Sequence, residues 1–199
     1  MKRSRSLLLS GLTLSLALSA PLASAKDMVI SIWDGYMAPN ALLKFQQASG
    51  IKADQSLHAT NEEIMGKIMA SGGEGYDVLF VSSPFAEILK QQGLLADIDP
   101  AKIPNLKNLY PEAQQLEYDP GNTFSVPYTW GTTGICYRAD QIKTEPSSWK
   151  ELLQPSDTLK GKVTMLATDR WLLGAGFLSN GWSVNESNED NSKIGRAHV

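Results

Sequence analysis

The N-terminal half of the chain alternates short apolar runs with stretches in which apolar residues recur at helical spacing. Met28 to Ile32 reads as a buried strand. Pro39 to Ser49 reads as a helix, with Leu42, Leu43 and Phe45 on its apolar side and Gly50 as its stop. Ile51 to Ser56 is a second predicted strand. Thr60-Asn61-Glu62-Glu63 has the spacing of a capping box, in which a hydroxyl and a carboxylate satisfy the open N–H groups of a helix start. Ile64, Met65, Ile68 and Met69 then form one helical face, which predicts core packing for both methionines. Tyr76 to Val81 is a third strand, continuously apolar, as in a parallel sheet covered on both faces. Ser83 is a predicted N-cap with Pro84 as the first helical residue, and Phe85 to Gln92 is the helix, stopped by Gly93. This β-α-β-α-β order predicts a parallel α/β lobe.

The pattern loosens further on. Tyr118-Asp119-Pro120-Gly121-Asn122 is a turn signal. Phe124 to Tyr137 reads as two extended segments meeting at a Gly/Thr joint. Ser147 and Ser148 precede a short helix, Trp149 to Leu153. Lys162 to Leu166 reads as a strand, and Thr168 as the cap of a helix running from Asp169 to about Asn180. A second α/β unit is therefore expected, and no internal repeat is visible.

The first 25 residues belong to a different class of segment. A basic start (Lys2, Arg3, Arg5), an apolar run from Leu7 to Ala20 and Ala23-Ser24-Ala25 make a secretory signal peptide, with cleavage expected after Ala25. The run is short for a membrane span, and no cysteine suited to lipid attachment follows it. Export changes the charge. The formal net charge of −3 becomes −6 once the three leader cations are removed. A mildly acidic exported domain does not suit nucleic acid, which requires a basic face. Cys136 is the only cysteine, so there is neither a disulfide framework nor a paired-cysteine metal or redox site. Its apolar setting predicts a small buried side chain. Two histidines, His58 and His198, leave no histidine-rich metal site and little room for a Ser/His/Asp triad. No metal and no cofactor is expected.

The informative chemistry lies at the strand ends. Trp33-Asp34-Gly35-Tyr36 places two aromatic rings and a carboxylate within four residues. An aromatic face attracts an ammonium group by ~0.5–2 kcal/mol, a neighbouring carboxylate accepts a charge-assisted hydrogen bond from it, and Gly35 permits the turn that lets both rings face one cleft. The alternative is a strand end that packs two aromatics into the core, with Asp34 as a helix-start residue. In parallel α/β sheets ligands sit at the carboxyl ends of strands. Ser82 and Ser83 occupy such an end as well, so they can meet the aromatic cluster in space. Gly72-Gly73-Glu74-Gly75 lacks the spacing of a phosphate-binding loop.

Four blocks carry a family resemblance: Ile32-Trp33-Asp34-Gly35-Tyr36, the Phe45 to Ile51 helix exit, Tyr76 to Ser83, and Asp119-Pro120 through Phe124 to Gly134, with its Pro127-Tyr128-Thr129-Trp130-Gly131-Thr132-Thr133 order. In these the chain resembles the periplasmic substrate-binding proteins of polyamine (spermidine/putrescine) ABC transporters. The likeness runs from about Met28 to about Asn188 and covers roughly the first half of a full-length member. It implies a two-lobed α/β fold of the type II periplasmic-binding-protein kind, hinged to close on a ligand. The first lobe (26–133) is expected to be nearly complete and the second (134–193) truncated.

The resemblance further implies that Trp33 and Tyr36 line the methylene chain and amine of the ligand, and that Ser82 is a ligand position. Asp34 stands where many members have a small hydroxyl residue, so its contact is read from its own chemistry. Pro84 stands where some members carry an aromatic. Asp169 is the acid nearest the place where the second lobe offers carboxylates, and Trp171 occupies a spot where some members have Glu. The expected ligand set is Trp33, Asp34, Tyr36, Ser82, Ser83 and Asp169, with no catalytic residue. The implied partners are a small polyamine and the permease of an ABC importer, for a monomeric periplasmic protein.

Two other readings compete. Ser82 and Ser83 open a helix, and helix N-termini favour anions, so an amino acid or an anionic metabolite is the alternative solute. A secreted hydrolase with Asp34 and Asp169 as paired carboxylates lacks a nucleophile elbow, a metal motif or a base constellation. Finally, Ile194-Gly195-Arg196-Ala197-His198-Val199 reads like a translated sequencing adapter and is expected to be a non-native tail. Apolar surface that later elements would cover is then expected to stay exposed, with poor solubility or partial unfolding as the consequence.

Overall fold

A computed structural model describes residues 27–191. The predicted signal peptide and the predicted tail both lie outside the described residues. Three parallel strands form one sheet in the order β2-β1-β3. The central strand, β1 (Met28–Trp33), pairs with β2 (Ala53–His58) along its full length, from Met28 opposite Ala53 to Trp33 opposite His58. On its other side it pairs with β3 (Val78–Leu79) through Ile30 and Ser31. Ser31 and Ile32, at the middle of the sheet, are fully buried.

Local signals set the helices. Helix α1 (Ala41–Ser49) ends at Gly50, whose left-handed φ of 74° lets its N–H donate to the carbonyl of Gln46. Helix α2 (Asn61–Ser71) starts at Thr60, whose hydroxyl accepts from the N–H of Glu63 at 3.1 Å. The Glu63 carboxylate reaches back one residue further than expected and accepts from the N–H of Ala59 at 2.8 Å. Ile64 and Ile68 of α2 pack with Leu89 of α3 (Ser83–Gln91), backed by Met65, Tyr76, Leu79 and Val81. Met69 points away from this core and is 55% exposed, against expectation.

Several other expectations are corrected. The second strand lies two residues further on than predicted, because in-register pairing with β1 carries it to His58. The third strand is two residues rather than six. Its ladder continues only as single bonds, from the N–H of Asp77 to the carbonyl of Val29 and from the N–H of Phe80 to that of Ser31. The Asp77 carboxylate accepts the N–H of Val29 at 2.8 Å, standing in for a main-chain acceptor at the start of the strand. The central strand is covered on both faces, since Ser31 and Ile32 point to opposite sides and both are fully buried, but the flanks are more open: Val78 is exposed, and α1 buries none of its residues. Ser82, not Ser83, stands at the N-cap position of helix α3, and it makes no side-chain capping bond there; Ser83 is the first helical residue.

Beyond Gln92 the chain passes through three short 3-10 turns, Pro100–Lys102, Pro104–Asn108 and Pro111–Gln114. The run from 124 to 137 pairs with no strand among the described residues, and Cys136, near its end, is exposed rather than buried. No strand forms over 162–166 either: a strand needs a neighbour's ladder, and none lies alongside. Helix α4 (Lys150–Leu153) and helix α5 (Asp169–Ser179) pack on each other. Thr168 stands at the expected cap of α5, yet its hydroxyl is buried without a partner.

Candidate ligand-binding site

The carboxyl ends of all three strands converge on one aromatic row. Trp33 closes β1. A turn follows, in which Gly35 takes a φ of 74° and the N–H of Tyr36 donates to the carbonyl of Trp33 at 3.3 Å. That turn brings the Trp33 and Tyr36 rings to 5.6 Å between centroids, tilted by 53°. His58 closes β2 directly opposite Trp33 in register, and its ring meets the indole at 4.9 Å and 63°, an edge-to-face geometry. Phe80, just past β3, lies edge-on to Tyr128 at 4.8 Å. The Tyr128 hydroxyl donates to the main-chain carbonyl of Tyr36 at 2.7 Å. The row runs His58, Trp33, Tyr36, Tyr128, Phe80. Gly35, Tyr36, Tyr128 and Thr129 line an open groove of about 450 Å³ along it.

Asp34 sits in the turn between the two rings. It is exposed, and among the described residues its side chain takes part in no ion pair or hydrogen bond, which leaves its carboxylate open to an incoming cation. Ser82 is held from the side. Its N–H donates to Oδ1 of Asn61 at 2.8 Å, and its hydroxyl oxygen accepts from Nδ2 of the same Asn61 at 3.1 Å. This clamp fastens the residue that precedes α3 to the first residue of α2 and leaves the Ser82 hydroxyl oxygen a second lone pair to accept with.

The remaining two expected residues lie elsewhere. Ser83 lines a second groove, of about 440 Å³, with Glu87, Ile88, Tyr118, Arg170 and Asn185. Arg170 donates to Oδ1 of Asn185 at 3.2 Å across its floor. Asp169 is exposed at the first turn of α5 and lines neither groove. The structure therefore brings Trp33, Asp34 and Tyr36 together, sets Ser82 at the same edge of the sheet, and leaves Ser83 and Asp169 apart from them.

Four residues of this edge escape a reading of the sequence: His58, Asn61, Phe80 and Tyr128. Tyr128 lies in the most specific block of the family resemblance, but nothing local marks it as a neighbour of Tyr36. His58 carried no signal beyond its rarity. It is 4% exposed, shares a 2.9 Å hydrogen bond between Nδ1 and the Ser31 hydroxyl, and keeps Nε2 buried without a partner among the described residues. Burial lowers its pKa below the ordinary 6.5, with Glu63 raising it and Lys67 lowering it by smaller amounts. Among the described residues, no cluster of histidine, cysteine or acidic side chains could hold a metal ion.

The turn that presents Tyr128 is built on Asp119, which is buried. Its two oxygens accept from the N–H and hydroxyl of Thr123 at 2.9 and 2.7 Å, from the N–H of Phe124 at 3.2 Å, and from the N–H and hydroxyl of Ser125 at 2.8 and 2.7 Å. Asn122 takes the left-handed φ of 55° that this loop requires.

Comparison with known proteins places these features in context. The profile of a family described as bacterial extracellular solute-binding protein matches residues 41–198. The putrescine-binding periplasmic protein of Escherichia coli is 34% identical over 163 residues, which is 78% of this chain and 44% of that protein. The spermidine/putrescine-binding periplasmic protein of Salmonella typhimurium is 34% identical over 170 residues, 84% of this chain and 47% of that one. Among solved structures, a PotD lipoprotein of Treponema pallidum superimposes with a TM-score of 0.75 at 28% identity, over 84% of this chain and 52% of that one. A spermidine/putrescine transporter substrate-binding protein of Streptococcus pneumoniae superimposes with a TM-score of 0.63 at 29% identity, over 86% and 52%. The chain spans about half the length of the curated relatives it matches.

Proposed function

The chain belongs to the bacterial extracellular solute-binding proteins, and from that premise we propose that it captures a polyamine of the putrescine or spermidine class and hands it to the permease of an ABC importer. The family is one of binders rather than an enzyme class. The observation that carries the reading is the exposed carboxylate of Asp34 in the turn that pairs the rings of Trp33 and Tyr36. A diamine has two hydrated ammonium ends joined by an apolar chain. The rings supply a face for an ammonium and for the methylenes, and Asp34 supplies the opposite charge. The Ser82 hydroxyl is a further polar contact at the rim. The names of the relatives, putrescine-binding and spermidine/putrescine-binding, support the same ligand class.

In this reading the first lobe (26–133) and the start of a second (134–193) close on the ligand, which desolvates it and strengthens each polar contact. Ser83 and Asp169 would join the site only through such a movement. The protein works as a periplasmic monomer after loss of its signal peptide at Ala25. A second reading, an amino acid or anionic solute, draws support from the groove where Ser83 at the start of α3 faces Arg170.

Isothermal titration with putrescine, spermidine and glutamate separates the two. The first reading expects heat with the amines and none with glutamate, and loss of the amine signal in Trp33→Ala. Glutamate binding that survives Trp33→Ala would establish the second.

A further inference from the structure

His58 has a position that the binding site as described does not use. It ends β2 beside Trp33, its ring edge-to-face with the indole at 4.9 Å, and it is held by the hydroxyl of the fully buried Ser31. Its Nε2 is buried with no partner among the described residues. A buried imidazole with one nitrogen unsatisfied has no acceptor to stabilise a second proton, so the neutral form fits this site and the cation does not. The indole it touches is the ring offered to an ammonium. An imidazolium in that T-shaped contact would draw on the same electron-rich ring system that attracts the ammonium.

We propose that His58 is a positioning residue for Trp33, and that its protonation and the capture of an ammonium by Trp33 exclude one another, so that uptake of a cationic ligand falls on acidification. This rests on the polyamine reading of the groove. The groups around His58 permit it. Strand β1 contributes the Ser31 hydroxyl and the Trp33 ring, neither of them charged. Helix α2 contributes Glu63 and Lys67, which act on it through space and pair with each other at 2.6 Å, so that their charges largely cancel. Burial is the larger influence and holds the imidazole neutral at pH 7.

The test has a ligand-free arm and a ligand arm. Without ligand, tryptophan emission of the whole protein is followed from pH 8 to pH 4.5, because an imidazolium quenches an adjacent indole. A step below pH 6.5 is expected, absent from Trp33→Phe, from His58→Phe and from His58→Gln. His58→Gln keeps a polar group for Ser31 but cannot titrate, so it serves if His58→Phe misfolds. A step that persists in both His58 variants overturns the proposal. With putrescine, Kd should rise by about tenfold per pH unit below the imidazole pKa, the limit for one competing proton, and the non-titrating variants should lose that slope. An unchanged slope in the variants also overturns it. No putrescine binding at any pH, with the ligand-free step intact, sinks the polyamine reading and with it the competition, while leaving the Trp33–His58 contact demonstrated.

Discussion

Tyr128 donates its hydroxyl hydrogen to the main-chain carbonyl of Tyr36 across 92 residues of sequence, at 2.7 Å. This bond joins the loop after the Asp119 turn to the turn after β1, and so brings the second half of the aromatic row to the first. Tyr128→Phe keeps the ring and its edge-on contact with Phe80. Both partners of the lost bond are exposed, and the freed carbonyl is taken over by water, so the cost in stability should stay below about 1 kcal/mol. The groove it shapes should loosen. We expect putrescine affinity to fall by about three- to tenfold, read by titration calorimetry, with an unfolding midpoint within ~4 °C of the parent. A large drop in the midpoint would instead make this bond a support of the fold.

Asp119 supports that loop from inside. Its desolvation works to raise its pKa, but the hydroxyls of Ser125 and Thr123 and the N–H groups of Thr123 and Phe124 outweigh this and hold it below the ordinary 3.8. A carboxylate lowered in the folded state stabilises that state fully above the unfolded value, and the contribution is lost as pH falls through the folded one. Asp119→Asn cannot accept at both ends in the same way and should cost about 2–3 kcal/mol near neutral pH. Urea unfolding of the parent and of Asp119→Asn should therefore differ at pH 6 and draw together below pH 3.8. Parallel curves across that range would assign the stabilisation to the loop shape rather than to the charge.

The first half of the fold was legible because its signals are local. Gly50 and Gly72 stop helices by adopting a backbone that other residues avoid, and Thr60 caps α2 with its own hydroxyl. Gly35 between Trp33 and Tyr36 was enough to foresee the ring pair. What could not be read depends on partners far along the chain. Phe124 to Tyr137 has the composition of strands, yet a strand exists only where a neighbour completes its ladder, and no such neighbour lies beside it. The same holds for 162–166 and for the burial of Cys136. The end of β2 at His58 followed from pairing with β1 rather than from its own polar sequence, and the contact of Tyr128 with Tyr36 left no periodic trace.

Ser31 and His58 offer a check on the buried polar pair in the sheet. Ser31→Ala removes the only side-chain hydrogen bond His58 makes among the described residues and leaves both of its ring nitrogens unsatisfied. The expected cost is about 1–3 kcal/mol. It should depend on pH in a definite direction. A histidine whose pKa is lowered on folding contributes stability above its unfolded value of 6.5, and that contribution fades as pH falls below it. Thermal melts of the parent between pH 8 and pH 5 should show a decline beginning below pH 6.5, and Ser31→Ala should melt lower throughout. A parent midpoint that rises on acidification over this interval would refute the neutral assignment.

Asp34 separates binding from folding more cleanly than any other residue of the row. It is exposed in the turn and its side chain is unpaired among the described residues, so Asp34→Asn removes a charge without removing a contact seen there, and surface changes of this kind stay within about 0.5 kcal/mol of the parent. Its effect on a dication should be far larger, because a charge-assisted hydrogen bond is roughly twice as strong as a neutral one. We expect putrescine affinity to fall by about tenfold or more with no change in the unfolding midpoint. The loss should shrink as salt is raised, since an exposed carboxylate leaves the pair partly screened. Glutamine, neutral overall and lacking a free ammonium at its far end, serves as the control ligand and should respond to neither the substitution nor the salt. If Asp34→Asn bound putrescine as tightly as the parent at low salt, the carboxylate would be a bystander, and the rings of Trp33 and Tyr36 would have to hold the ammonium without a counter-charge.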